Sequence, residues 1–244
     1  MRNSFELVGS DVHVLTVRME ASGDTTAKLE SVLFDDEKAR AARFGSDYLR
    51  RSFVIKRGMF RYLLGRYLGV APQSIRFKYA PSGKPALAST ADIEFNTTHS
   101  GNLAVFAFTV GCQLGVDLQQ IAPLPEMQEI ATRFFCEEEA ADLISLPPSD
   151  RQHAFFCCWT RKEAFVKATG DGLSTPLDDF RVTLRAAEPA SLIRIAQDKK
   201  AAESWTLHNL SLHAGYAGAI AYRDRARPLS IFPIIHPDEF ISTT

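Results

Sequence analysis

The 244-residue sequence predicts an α+β fold built from two related halves. Three observations carry that prediction. Strand-like and helix-like patterns follow one another in the same order twice along the chain. The two longest helical patterns end at Gly69 and Gly170, 101 residues apart. His99-Ser100-Gly101 followed by Ala107 returns 114 residues later as His213-Ala214-Gly215 followed by Ala221. The division falls between residues 1–113 and residues 114–244, and a ligand cleft is expected between the halves, where small-molecule sites tend to form.

Taken in order, Val12 to Met19 alternates as a strand should. Thr25 to Leu33 and Asp35 to Phe44 read as short helices, the second opened by acidic residues that suit a helix N-terminus. Ser46 or Asp47 caps a long helix through Phe53, Met59, Leu63 and Leu68, and Gly69 stops it. Ile75 to Tyr79 is a strand, and Pro81-Ser82-Gly83-Lys84-Pro85 a turn. Further strands are expected at Ile93 to His99, Leu103 to Val110 and Gln113 to Gln119. In the second half, Pro147-Pro148-Ser149-Asp150 opens a long helix that runs to Gly170. Strands follow near Phe180 to Leu184, Trp205 to Leu212 and Tyr216 to Tyr222.

Composition narrows the class. With 45% hydrophobic and 23% charged residues the chain is not disordered, and four Cys in so long a sequence exclude a disulfide scaffold. The cysteines (Cys112, Cys136, Cys157, Cys158) form no C-x-x-C pair, and the adjacent two fall in an apolar helical run, so buried reduced thiols are expected. Met1-Arg2-Asn3-Ser4-Phe5-Glu6 lacks the apolar stretch of a secretory signal. Leu103 to Val110 is too short to span a bilayer. A cytoplasmic protein without a membrane partner is therefore expected. A nucleic-acid partner is not, because 28 basic against 29 acidic residues leaves no net positive charge for a phosphate backbone.

Three clusters carry possible chemistry, all near the expected seam. Phe95-Asn96-Thr97-Thr98-His99-Ser100-Gly101 ends one strand and turns into the next; its hydroxyls, imidazole and backbone N–H groups suit an anion, or equally build a plain hairpin. In Gly115-Val116-Asp117-Leu118-Gln119, Asp117 and Gln119 share one side of a strand, so both oxygens can point at one ion. In Trp159-Thr160-Arg161-Lys162-Glu163-Ala164-Phe165-Val166-Lys167, helical spacing puts Trp159, Glu163 and Lys167 on one face, as a site or as an ordinary surface pair. Carboxylates, a lysine and a phosphate-friendly turn together point to Mg²⁺ and a phosphorylated substrate. No Walker loop, dinucleotide turn, H-E-x-x-H or G-x-S-x-G is present.

The ordered series Gly83-Lys84-Pro85, Phe95-Asn96-Thr97-Thr98-His99-Ser100, Gly115-Val116-Asp117, Phe134-Phe135-Cys136-Glu137-Glu138-Glu139 and Trp159-Thr160-Arg161-Lys162-Glu163-Ala164 resembles the Sfp-type 4′-phosphopantetheinyl transferases. The likeness runs from Lys38 to the closing Lys167-Ala168-Thr169-Gly170-Asp171-Gly172-Leu173. It implies a pseudo-duplicated two-subdomain fold with the active site in the cleft between halves. It also implies transfer of the phosphopantetheine arm of coenzyme A to a serine of an apo acyl or peptidyl carrier protein, releasing 3′,5′-ADP. The N-terminal half would supply nucleotide contacts, and the C-terminal half the Mg²⁺-binding and catalytic residues. By motif, Asp117 and Glu163 hold Mg²⁺, with Gln119 as a third ligand. Lys84, Pro85, Thr98, His99, Lys162 and Lys167 contact the nucleotide and its phosphates, His99 the 3′-phosphate. Arg51, and Lys38 or Arg40, hold the nucleotide end. Glu163 is the first choice as base for the serine proton and Glu139 the second. Asp117 and Lys167 complete the catalytic set.

The chain departs from the family at Gln119, where the pattern G-[IV]-D-x-E has a glutamate; an amide offers one neutral carbonyl, or leaves its place to water. Thr98 replaces a serine and keeps the hydroxyl. Gln119 leaves room for a rival, a degenerate member that binds coenzyme A without transferring anything. A second rival is a plain protein-interaction module with a basic helix, in which the motifs are coincidence. From Lys38 to Arg66 there are nine basic residues (Lys38, Arg40, Arg43, Arg50, Arg51, Lys56, Arg57, Arg61, Arg66) against Asp47 alone. Such a run is expected to meet coenzyme A phosphates and to steer an acidic carrier. Two halves that form their own cleft need no partner subunit, so a monomer is expected.

Overall fold

Alternating apolar patterns become strands, and two long amphipathic stretches become the helices that cover them. The computed structural model describes residues 5–80, 83–170, 172 and 175–243. Part of the expected turn (Pro81, Ser82), Asp171, Leu173 and the N-terminal Met1 to Ser4 lie outside them. In chain order the elements are β1 (Val12–Arg18), α1 (Gly23–Ser31), α2 (Asp35–Ala42), α3 (Asp47–Leu68), β2 (Phe77–Tyr79), β3 (Pro85–Leu87), β4 (Ile93–Ser100), β5 (Leu103–Val110) and β6 (Leu114–Gln120). Then follow α4 (Met127–Phe134), α5 (Glu137–Ser145), α6 (Pro148–Thr169), β7 (Phe180–Val182), β8 (Leu192–Ile195), α7 (Lys199–Ala202), β9 (Thr206–Asn209), β10 (Tyr216–Tyr222), β11 (Leu229–Ile231) and α8 (Pro237–Ser242).

The larger sheets have strand orders β11-β1-β5-β4 and β6-β10-β9. Within them, β1-β5-β4 and β6-β10-β9 are the same arrangement, with the strand before the long helix at one side and the later hairpin beside it. The long helices match as well. α3 and α6 each span 22 residues and each end at a glycine in the left-handed region, Gly69 at φ 64° and Gly170 at φ 80°. A left-handed cap is open to glycine without Cβ strain, which is why those two residues stopped the helical pattern.

A further repeat was not visible in the sequence. Glu37 closes the first turn of α2: its Oε2 accepts from the Phe34 N–H at 2.9 Å and from Arg61 of α3 at 2.7 Å, and its Oε1 meets Arg57 of α3. In the second half Glu139 accepts from the Cys136 N–H at 3.1 Å and pairs with Lys162 of α6 at 2.7 Å. Each short helix is thus clamped to the following long one by a buried carboxylate and a buried base.

Each half has its own core, one around Leu29, Met59, Leu63 and Phe106, the other around Leu143, Phe155, Phe165 and Phe180. A third core joins them: Val14, Leu103, Val105 and Ala107 meet Val116, Leu118, Ile220 and Tyr222. Strand β5 therefore has apolar neighbours on both faces, and its eight residues read as a continuous apolar run, as doubly covered strands do. After residue 228 the chain returns to the first half. β11 pairs in parallel with β1, Ser22 Oγ donates to Asp238 of α8 at 2.6 Å, and Ile241 enters the first core. All four cysteines are buried free thiols. No helix among the described residues is long and apolar enough to cross a membrane.

Candidate active site

On the first half, α2, α3, β3 and β4 enclose a cleft of about 510 Å³. Leu49, Ser52, Phe53, Lys56 and Arg57 line it from α3, at the spacing of one helix face. Arg40 reaches it from α2, Pro85 from β3, and Thr97 and His99 from alternate positions of β4. Lys56 Nζ lies 3.2 Å from His99 Nδ1. Burial, helped by the charges of Arg40, Lys167 and Arg57, pushes the Lys56 ammonium down to about 8. Burial and the charges of Lys56 and Lys167 hold His99 below its ordinary value, so its imidazole is neutral at pH 7. Asp36 and Glu37 also line the hollow, but Glu37 is paired with Arg57 and Arg61, which leaves Arg40 and Lys56 to receive an anion.

Across the seam stand β6 and α6. Gly115 lets them touch, because a Cβ there would strike the Ala164 carbonyl and the Ala168 amide of α6. That approach carries Asp117, 2% exposed on β6, to Lys167 on α6, whose Nζ pairs with Asp117 Oδ1 at 2.6 Å. Thr98 of β4 donates to the same oxygen at 3.0 Å, and Lys167 also donates to Thr98 Oγ1 at 3.3 Å. The Gln119 amide donates to Asp117 Oδ2 at 3.3 Å. Glu163 stands one turn before Lys167. Burial raises its pKa, the Asp117 charge raises it further, and Lys167 opposes them.

Asp117 and Glu163 repel one another across this site, and the third oxygen donor nearby is the Gln119 amide. Hard oxygen donors of this kind fit a small divalent cation, which would relieve that repulsion. With only two carboxylates in the set, no group of three His, Cys, Asp or Glu side chains converges among the described residues.

The profile of the "4′-phosphopantetheinyl transferase superfamily" matches residues 113–221, and that of "4′-phosphopantetheinyl transferase, N-terminal" matches residues 20–110. The 4′-phosphopantetheinyl transferase HetI of Nostoc sp. is 36% identical over 218 residues, covering 88% of this chain and 89% of that one. This chain belongs to the 4′-phosphopantetheinyl transferase family. The Sfp transferase of Bacillus subtilis is 29% identical over 163 residues, 67% of this chain and 71% of that one. Among solved structures, the holo-[acyl-carrier-protein] synthase of Thermotoga maritima overlaps 47% of this chain and 64% of its own, at TM-score 0.37 and 21% identity.

In this transferase the structure gathers Arg40, Pro85, Thr98, His99, Asp117, Gln119, Glu163 and Lys167 along one seam. Five expected residues stand elsewhere. Glu139 and Lys162 are fully buried and locked together; Lys162 also donates to the Leu177 and Phe180 carbonyls, and Glu139 accepts from the Val182 N–H. They are the helix clamp of the second half, with no path to a ligand. Arg51 donates to the Ala21 carbonyl, on a side of α3 turned from the cleft. Lys38 is exposed on α2 two residues from Arg40, which puts it on the opposite side of the helix, and only Arg40 lines the cleft. Lys84 directs its ammonium to the carbonyls of Lys167 (2.9 Å) and Ala168 (3.2 Å), tying the turn before β3 to the end of α6. Conversely, Lys56 and Arg57 line the cleft but entered the sequence reading only as part of a charge run. Their three- and four-residue spacing from Ser52 and Phe53 was the available signal.

Proposed function

We propose that this chain transfers the 4′-phosphopantetheine arm of coenzyme A to a serine hydroxyl of an apo acyl or peptidyl carrier protein, releasing 3′,5′-ADP. One observation carries the reading: a cationic cleft built by the first half ends at a carboxylate pair built by the second, with Lys167 between them. Arg40, Lys56 and His99 bind the nucleotide phosphates, with His99 offering a neutral ring N–H. Lys167 takes the charge of the pyrophosphate nearest the reacting phosphorus. Asp117, Glu163 and the Gln119 carbonyl would hold Mg²⁺, which when bound offsets the negative charge of the pyrophosphate.

Glu163 accepts the serine proton, directly or through a water. The serine Oγ forms a bond to the β-phosphorus as the bond from that phosphorus to the 3′,5′-ADP oxygen breaks, in line with the attack. Asp117, fixed by Thr98 and Lys167, keeps the second half in register with the phosphates. The test is to incubate the chain with coenzyme A, Mg²⁺ and an apo carrier protein, then weigh the carrier. A gain of one phosphopantetheine mass is expected. No gain despite coenzyme A binding selects a degenerate binding protein, and neither effect selects an interaction module.

A further inference from the structure

β1 and β6 hold equivalent places in the two sheets, yet their outer edges are treated differently. β1 is laddered on both sides, antiparallel to β5 and parallel to β11. Among the described residues β6 is laddered only to β10. On its other edge the Val116 N–H donates to Asn96 Oδ1 at 3.1 Å and the Gln120 N–H to Ser100 Oγ at 2.9 Å. Between them Thr98 donates to Asp117 Oδ1 at 3.0 Å. Asn96, Thr98 and Ser100 are alternate residues of β4, so one side of that strand makes all three bonds. β4 and β6 thus run parallel with side chains standing where a backbone ladder would otherwise be. An interposed side chain holds two strands farther apart than a ladder does, and it fixes their register. The register matters because His99 of the cationic cleft neighbours Thr98, and Asp117 follows Val116. Lys167 Nζ also reaches the Val116 carbonyl, at 3.4 Å, so both backbone polar groups of this residue are held, one from each half.

We propose that Asn96 is a positioning residue for the transfer reaction: through the Val116 N–H it sets the gap across which Asp117 and Glu163 face the nucleotide cleft, and Ser100 does the same from Gln120. The proposal rests on the function argued above. Its test measures kcat for carrier modification and the Kd of 3′,5′-ADP for wild type, Asn96→Leu, Asn96→Asp and Ser100→Ala, with hydrogen exchange at the Val116 amide. Leucine keeps the bulk and removes the acceptor; aspartate keeps an acceptor oxygen. Asn96→Leu is expected to lower kcat about tenfold or more, as small misplacements of reacting groups do, while the Kd stays within about twofold because the cleft belongs to the first half. Asn96→Asp should restore kcat to within about threefold of wild type and keep Val116 protected, and Ser100→Ala should fall between. Should Asn96→Leu fail to fold, the Asn96→Asp and Ser100→Ala results decide. Unchanged kcat in Asn96→Leu, equal loss of kcat and nucleotide binding, or an aspartate variant no better than leucine would each overturn the positioning role. A wild-type chain that transfers nothing refutes the function, and this role with it.

Discussion

Glu163 and Lys56 are two charges held under tension, and each makes a prediction that its own atoms decide. Replacing Glu163 with Gln removes the proton acceptor and one of two repelling carboxylates. Single-turnover transfer should slow by about 10²–10⁴-fold, with the melting temperature unchanged or slightly raised. Near-wild-type rates at saturating Mg²⁺ would remove both roles given to this carboxylate. Lys56 titrates at about 8 in the folded chain against an ordinary 10.5. The unfolded chain therefore holds a proton that the folded chain has lost, and the Lys56 contribution to stability grows as pH rises from about 8 to 10.5. Anion binding has the opposite sign, since it needs the ammonium. Nucleotide affinity, followed by calorimetry across pH 7 to 10, should weaken as pH passes about 8. Lys56→Met should flatten that slope and weaken binding about tenfold, roughly 1.4 kcal/mol.

Among the elements, the pairing of each short helix with its long one, and of α6 with β6, decides whether the site exists. Glu37→Gln leaves Arg61 buried without its counter-charge, and Glu139→Gln does the same to Lys162. Each should cost about 3 kcal/mol in denaturant unfolding, with turnover per folded molecule preserved in the Glu139 variant. A folded Glu139→Gln protein with collapsed turnover would return that residue to the chemistry. Gly115→Ala should cost about 1–3 kcal/mol, as overpacking does, and should also depress turnover, because Asp117 and Lys167 sit on the two backbones it pries apart. Most strands and both long helices were legible because period-2 and period-3.6 patterns and glycine stops are local signals, whereas the short strands β3, β8 and β11 gave no such pattern. The short helices α4 and α5 were not read, and the acidic triplet at the start of α5 looked like chemistry. Lys162 was misplaced for a physical reason: neighbouring residues on a helix point about 100° apart, so in Lys162-Glu163 one side chain enters the core as the other enters the site. The partner of Lys162, 23 residues earlier, is a tertiary fact that spacing alone does not give.

As a whole the molecule repeats one arrangement of strands and long helix, and of its two corresponding clefts one is lined by Lys and Arg. The counterpart in the second half, about 460 Å³ beside α6 and β10, is lined by His153, Cys157 and His213 where the first has Ser52, Lys56 and His99, and no Lys or Arg lines it among the described residues. β11 pairs with the edge of β1 that corresponds to the edge of β6 met by side chains of β4. The basic run from Lys38 to Arg66 also divides on inspection. Arg61 is buried, Arg57 and Arg50 pair with Glu37 and Glu30, and Arg51 serves a carbonyl, whereas Lys38, Arg40 and Arg43 stay exposed. Association with an acidic carrier, followed by stopped flow, should slow as salt rises to about 0.5 M; Lys38→Gln with Arg43→Gln should make the rate less sensitive to salt. On the proposed function, nucleotide recognition by the first half and arm transfer by the second meet at one seam and are separable. The direct measurement is the intact mass of an apo carrier after incubation with coenzyme A, Mg²⁺ and the Asp117→Asn protein, at a coenzyme A concentration that calorimetry shows to be saturating. An unmodified carrier beside bound coenzyme A is the predicted result. A carrier that gains the phosphopantetheine mass at the wild-type rate, or a variant that no longer binds coenzyme A, would contradict it.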